Sequence, residues 1–314
     1  MTDGASPNYV ITGPTGWIGR AALYHLVDTL GPEWARRVQA FGSQARTLEL
    51  PGAGALEVRA LSDLSAKDVD GAIVLHLAYL TQEKAGPLGA SAFFSTNLAI
   101  DDAVASACRE GRAKGVFVAS SGAAGAAGDP SGRTLYGVTK LLQEDRFLKL
   151  GRETGTPTLV GRIYNISGPH INKIDSYALS SMIGMALRGE DLVINAGIPV
   201  YRSYLHVEDL VRLVLAQLSS GEDAPSSPID LCGPLVVEME DLARAVVAAT
   251  GLPDSHPILR GKVDCNRPNV YVGDATAARG LALRHGLRLK DFETQVADTV
   301  AFLQHNFSND ATRQ

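Results

Sequence analysis

Residues 9–26 read YVITGPTGWIGRAALYHL. An apolar run ends at Thr12, glycines follow at 13, 16 and 19, and a helix-like pattern continues through Ala21, Leu23 and Leu26. So many residues without side chains between a strand and a helix imply that something comes close to the backbone there. The first glycine of such a turn permits the sharp exit from the strand, the second lets the backbone reach a phosphate, and the third lets the helix pack tightly on the sheet. The helix start adds N–H groups and the positive end of its dipole. The stretch therefore predicts that Gly13, Gly16 and Gly19 hold a dinucleotide pyrophosphate. The plainer alternative is a flexible turn, so the rest of the chain has to decide.

Around this stretch the first half alternates in type. Strands are predicted at Tyr9–Thr12, Val38–Phe41, Leu56–Ala60, Ala72–Leu77, Gly115–Ala119 and Thr158–Ile163, with helices at Arg20–Leu30, Asn97–Glu110 and Tyr136–Thr154. That alternation predicts an α/β fold, a Rossmann-type doubly wound parallel sheet covered by helices. After Gly168-Pro169 the rhythm changes: a helix at Ser176–Arg188, a strand at Leu192–Asn195, a strand-to-helix run from Arg202 to Leu218, then helices at Met239–Thr250 and Phe292–His305. The expected division is a dinucleotide-binding domain over 1–168, with a returning segment near 204–233. A smaller interleaved substrate-binding domain would hold 169–203 and 234–314.

Composition narrows the function. With 314 residues and 45% apolar content, the chain can bury a substantial core. A net charge of −5 offers no basic field for nucleic acid. The apolar run Ala72–Leu80 is too short to cross a bilayer, and the first eight residues, MTDGASPN, lack the basic and apolar regions of a signal peptide. The three cysteines, Cys108, Cys232 and Cys265, form neither a disulfide framework nor a metal-ligand spacing. A cytoplasmic protein without metal, acting on a small molecule, is expected.

A second signal is Tyr136-Gly-Val-Thr-Lys140 on a predicted helix, where the i, i+4 spacing puts phenol and ammonium on one face. A phenol is a poor base at neutral pH, and a nearby cation favours its ionised form. Upstream, Ser120-Ser121 ends a strand and offers a hydroxyl to a substrate oxygen. Such residues also occur on ordinary surfaces; it is their combination with the glycine turn that points to catalysis.

Together these motifs resemble the extended short-chain dehydrogenase/reductases, the NAD-dependent epimerase/dehydratase type acting on nucleotide sugars. The likeness runs through TGPTGWIG, His76-Leu-Ala78, Asn97, Ser121, YGVTK, Arg162-Ile-Tyr-Asn165-Ile-Ser-Gly168-Pro169, Arg202-Ser-Tyr-Leu-His206-Val-Glu-Asp209 and Arg267. It implies a catalytic set of Ser121, Tyr136 and Lys140. Gly13, Gly16, Trp17, Ile18 and Gly19 would meet the pyrophosphate, and Asp63 and Leu64 the adenine. Ala78 would lie against the cofactor and Lys140 at its nicotinamide ribose. Asn165, Arg202 and Arg267 would bind substrate, the arginines through a diphosphate. His206 and Asp209 are equally readable as helix-start structure. The resemblance also implies a homodimer built from the helices Asn97–Glu110 and Tyr136–Thr154.

Three departures refine the expectation. At Gly42, NAD-preferring relatives usually carry an acid for the ribose diol; here Ser43 and Arg46 follow, which predicts NADP(H) over NAD(H). Gly122 and Ala123 cannot transfer protons, which argues against dehydration. The loop GAAGAAGDPSG lacks the tyrosine of many relatives, and Arg-His-Gly-Leu stands at 284–287 where Leu-Gly-Trp is usual. The leading expectation is then an NADPH-dependent reductase of a keto group on a nucleotide-activated sugar. The alternatives are a C4 epimerase with retained NAD, and a non-catalytic nucleotide-sensing regulator.

Overall fold

The computed structural model of the protein describes residues 8–128 and 133–311. The leader expectation and the 129–132 part of the glycine-alanine loop lie outside the described residues. In chain order the strands are β1 (Tyr9–Thr12), β2 (Val38–Gly42), β3 (Arg46–Leu50), β4 (Gly54–Ala60), β5 (Ile73–His76), β6 (Gly115–Ser121) and β7 (Thr158–Ile163). Then come β8 (Asn165–Ser167), β9 (Leu192–Ile194), β10 (Val200–His206), β11 (Ile229–Leu231), β12 (Val236–Glu238), β13 (Ile258–Arg260) and β14 (Asn269–Tyr271). The chain divides into two compact units, Met1–Ile163 with Val211–Asp230, and Tyr164–Leu210 with Leu231–Gln314.

The first unit is built on an eight-stranded sheet in the order β11-β7-β6-β5-β1-β2-β4-β3. The pairings from β7 across to β4 are parallel. Strands buried on both faces need continuous apolar runs, and β1 and β5 are buried at every position. Val10, Val74, Val116 and Val160 pack with Val104, Cys108, Phe147 and Leu150 of the covering helices to form the core. From β1 the chain moves outward to β2 and β4, then returns to add β5, β6 and β7 on the other side. The order therefore reverses between β1 and β5, and their carboxyl ends flank the crevice where open α/β sheets take ligands.

The edge strand β3 was not expected. It folds back antiparallel on β4, from Arg46 opposite Val58 to Leu50 opposite Gly54. Its Arg-Thr-Leu-Glu-Leu alternation buries only Leu48 and Leu50, as suits an edge with one face in water. Between Ala60 and Ala72 there is no full crossover helix, only single turns at Leu61–Asp63 and Ala66–Val69. The helix expected from Asn97 begins seven residues earlier, at Ala90, where Phe93 enters the core.

In the second unit, β10 pairs parallel with β8 and β14 and antiparallel with β12, while β9 and β13 form a separate parallel pair. The helices Ala178–Leu187, Met239–Thr250 and Phe292–Ala311 pack on one another. The short strands β12, β13 and β14 and the helix Thr276–Arg284 went unread. Three residues cannot show a period, so only pairing with a neighbour identifies such strands.

Candidate active site

The glycine turn is tight for reasons that atoms make plain. Gly13 leaves β1 at φ +72°, donating its N–H to the Phe41 carbonyl at 2.8 Å. A Cβ on it would lie 2.9 Å from the Ala78 nitrogen. Gly19 sits in the first turn of the helix Trp17–Leu30, where a Cβ would fall 2.3 Å from the Gly13 carbonyl oxygen. Gly16 is the N-cap, with no side-chain oxygen closing the helix start. A Cβ there would meet only the Gly13 oxygen at 3.4 Å. Trp17 is buried and Ile18 half-buried. A helix start without a side-chain cap, beside backbone bare of side chains, fits a dinucleotide pyrophosphate.

Beyond the turn, Thr12 ties β1 to β5. Its hydroxyl accepts from the Leu77 and Ala78 N–H groups at 3.1 Å each and meets His76 Nδ1 at 2.9 Å. Ala78 is thus held beside Gly13 through the Thr12 hydroxyl. At the start of the next crossover, the Arg59 guanidinium donates to the Asp63 carbonyl at 2.9 Å. Asp63 itself is exposed, and Leu64 packs on the core.

The helix Leu135–Thr154 carries Tyr136 and Lys140, its N-terminus capped by Thr134 through the Gly137 N–H at 3.0 Å. Lys140 is buried and donates to the Ala119 carbonyl at 2.7 Å and to Gln143 Oε1 at 2.9 Å. Its ammonium lies 3.4 Å from the centre of the Tyr79 ring and 6.0 Å from that of Tyr136. The two tyrosine rings meet edge to face, 6.2 Å apart. Burial pushes the Lys140 ammonium down to about 7, opposed by the carboxylates of Asp101 and Glu144. Burial also raises the Tyr79 phenol, so that ring is a neutral wall.

The two serines at the end of β6 have separate tasks. Ser120 donates to Glu144 at 2.6 Å, and the same buried carboxylate receives the Arg162 guanidinium through two bonds at 2.8 and 2.7 Å. That triad joins β6, β7 and the Tyr136 helix. Ser121, on the opposite face of the strand, accepts from the Ala123 N–H at 3.3 Å and caps the short helix Gly122–Ala126. This helix contains only glycine and alanine, so no acid stands there.

In the second unit, Asn165 on β8 donates to the Ser203 carbonyl at 3.2 Å. Arg202 on β10 is half-buried, bonded to Asn269 Oδ1 at 3.0 Å, and burial lowers its pKa. Arg267 lies exposed two residues before β14, whose Tyr271 is the residue paired with Arg202. Asp209 accepts from the Lys290 N–H at 2.7 Å, and His206 Nδ1 accepts from the Glu208 N–H at 3.3 Å. Both shape the start of the helix Val207–Ser219. The motif reading had no role for Tyr79, Asp101, Gln143 or Glu144. Helical spacing between Asn97 and Asp101, and between Lys140 and Glu144, was the available signal.

Residues 9–232 match the NAD dependent epimerase/dehydratase family. Among curated proteins, the chain is 32% identical over 114 residues to UDP-glucuronic acid decarboxylase 5 of Arabidopsis thaliana, covering 36% of this chain and 33% of that one. The chain thus spans about a third of the length of the curated relatives it first matches. Among solved structures, MoeE5 in complex with UDP-glucuronic acid and NAD is 23% identical with a TM-score of 0.72, covering 95% of this chain and 99% of that one. UDP-glucuronic acid 4-epimerase from Bacillus cereus, in complex with NAD, is 16% identical with a TM-score of 0.70 over 95% and 99%.

These findings overturn the expectation of NADP(H), and with it the NADPH-dependent reductase. The matched family is NAD dependent, and both of those structures hold NAD. The misleading residue was Arg46. It does not follow Gly42 around the end of β2; it opens the edge strand, opposite Val58, which in turn pairs with Ala40. Arg46 is exposed, two strands out from β2 and level with Ala40, two residues short of that strand's end. Ser43, also exposed, leads into that hairpin. From the reversal of strand order, the glycine turn at it, the Tyr136–Lys140 pair and the span of the match, the chain belongs to the NAD dependent epimerase/dehydratase family.

Proposed function

We propose that the protein is a nucleotide-sugar C4 epimerase that retains NAD through each turnover. The observation that carries this reading is the buried Lys140 beside Tyr136, with no second proton-transfer group at Gly122 or Ala123. Inversion at C4 needs a proton removed from one hydroxyl and returned to the same oxygen, which a single phenol can do. Water loss needs a further acid and base.

Gly13, Gly16, Trp17, Ile18 and Gly19 would hold the NAD pyrophosphate through backbone groups, with Ala78 against the cofactor and Ser43, Asp63 and Leu64 toward its adenosine end. NAD would supply a site that takes a hydride from C4 and gives it back. Tyr136 Oη would hold the transferred proton, Lys140 would stabilise its ionised form, and Ser121 Oγ would orient the same oxygen. Asn165, Arg202 and Arg267 would bind the substrate, the arginines at the diphosphate. The retained Tyr136–Lys140 pair speaks against a silent nucleotide sensor.

The direct test is to incubate the NAD-loaded protein with UDP-glucose, UDP-N-acetylglucosamine and UDP-glucuronic acid and resolve the products. Expected is a 4-epimer with no net NADH. Carbon dioxide release from UDP-glucuronic acid would replace epimerisation by decarboxylation, and net NADH formation would replace it by oxidation. Arg202→Ala is expected to raise KM roughly tenfold for the nucleotide sugar, by loss of a charge-assisted bond, and to leave a sugar lacking the diphosphate unaffected. Equal effects on both would assign Arg202 to structure alone.

We further propose a homodimer, in a cytoplasmic setting that keeps the cysteines as thiols. Phe94, Leu98 and Leu142 lie exposed on the helices Ala90–Gly111 and Leu135–Thr154, which pack side by side. Val104, by contrast, is wholly in the core. A second copy presenting the same two helices would cover this apolar strip through a symmetric contact. Leu142→Glu is expected to turn a dimer into a monomer in light scattering, and a monomeric unmutated protein would remove the proposal.

A further inference from the structure

A continuous line of hydrogen bonds crosses the interior of the first unit from the glycine turn to the catalytic lysine. It begins at Thr12, whose hydroxyl oxygen accepts from two backbone N–H groups, those of Leu77 and Ala78. With both acceptor positions filled, the hydroxyl proton is directed to His76 Nδ1 at 2.9 Å. The imidazole thus accepts at Nδ1 and carries its own proton at Nε2, which donates to Asp101 Oδ1 at 2.9 Å. This is the neutral form of the ring. Gln143 Nε2 donates to that same Asp101 oxygen at 2.6 Å, and Gln143 Oε1 accepts from Lys140 at 2.9 Å. The two donor nitrogens stand 3.4 Å apart, converging on one oxygen.

Every member of the line is buried, so its charges must balance internally. A neutral His76 leaves the Asp101 charge uncancelled. Around Lys140 the other elements offer the aromatic face of Tyr79 and the Ala119 carbonyl of β6, and its own helix offers the Tyr136 ring and Glu144. Glu144 is already taken by Arg162 and Ser120. Arg146, further along the helix, is paired with Asp102. Asp101 and Lys140 are therefore left as a pair of opposite charges, with the Gln143 amide between them presenting its oxygen to the cation and its N–H to the carboxylate.

We propose that Asp101, acting through Gln143, is a positioning residue that keeps Lys140 protonated and aimed at Tyr79 and Tyr136, while His76 and Thr12 anchor that charge to the glycine turn. The inference rests on the reading of Tyr136 and Lys140 as the reacting pair. Burial lowers the Lys140 pKa to about 7 even with the carboxylates of Asp101 and Glu144 raising it. Removing the carboxylate would leave an unpaired buried cation, which sheds its proton and no longer stabilises an ionised Tyr136.

The test is the titration of Lys140 in the full-length protein without substrate, followed by NMR of lysine labelled with carbon-13 at Cε and assigned by the signal lost in Lys140→Arg. Asp101→Asn preserves an oxygen for both donors and deletes only the charge. Its Lys140 is expected to titrate about one to three pH units below the unmutated value, as removal of a close opposite charge requires. Turnover at neutral pH should fall, and its pH profile should move by the same interval. The double variant Asp101→Asn/Gln143→Glu, which restores a carboxylate beside the lysine, should return both toward normal.

A folded Asp101→Asn protein whose Lys140 titrates at the unmutated pH would overturn the proposal, as would a double variant that restores neither quantity. If Asp101→Asn does not fold, Gln143→Leu gives the same readout: a lowered titration supports the coupling and an unchanged one ends it. A lysine that responds as expected in a protein that epimerises no nucleotide sugar sinks the functional reading alone.

Discussion

Tyr136→Phe is expected to lose at least ~10²-fold in turnover, the lower range for a positioned acid–base group. The substitution is nearly silent structurally. The ring keeps its edge-to-face contact with Tyr79, and the Lys140 ammonium keeps its bonds to Ala119 and Gln143. Only the oxygen that would exchange the C4 hydroxyl proton is gone. NAD affinity should hardly change, because the phenol is not proposed to bind the cofactor. Steady-state epimerisation, together with NAD binding by calorimetry, separates the two effects. Near-normal turnover in the phenylalanine variant would mean that another group moves the proton.

The second large effect concerns the turn. In Gly19→Ala the new Cβ would sit 2.3 Å from the Gly13 carbonyl oxygen and 2.9 Å from Pro14 Cα, both backbone atoms that cannot swing aside. Helix and strand end must separate, at an overpacking cost of about 1–3 kcal/mol, and the N–H groups proposed to hold the pyrophosphate move with them. Gly16→Ala is the internal control, since its Cβ meets one atom at ordinary contact distance. Thermal melts with and without NAD provide the measurement. Ligand at a hundred times its dissociation constant stabilises the unmutated protein by about 2.7 kcal/mol. Gly19→Ala should lose most of that gain and Gly16→Ala retain more of it. If Gly19→Ala gained as much from NAD as the unmutated protein, the turn would not be the cofactor's seat.

The Gly13–Gly16–Gly19 spacing after an apolar run, and the Tyr136–Lys140 spacing on a helix, were legible from the chain alone. They are local: each depends on residues within one turn of each other, and 3.6-residue or glycine-turn geometry follows from adjacent backbone. The doubly wound sheet was legible for a similar reason, because strands buried on both faces must be continuously apolar. Arg46 shows where this stops. It follows β2 by four residues in sequence, yet the β3–β4 hairpin carries it two strands away, and hairpin register depends on partners that no local pattern names. The division of labour between Ser120 and Ser121 was equally hidden until Arg162 of β7 and Glu144 of the Tyr136 helix met at one of them. Asp101 and Gln143 are 42 positions apart, and either alone reads as a helix-surface polar residue. Only folding removes them from water, and it is burial that turns an aspartate and an amide into the electrostatic support of a lysine.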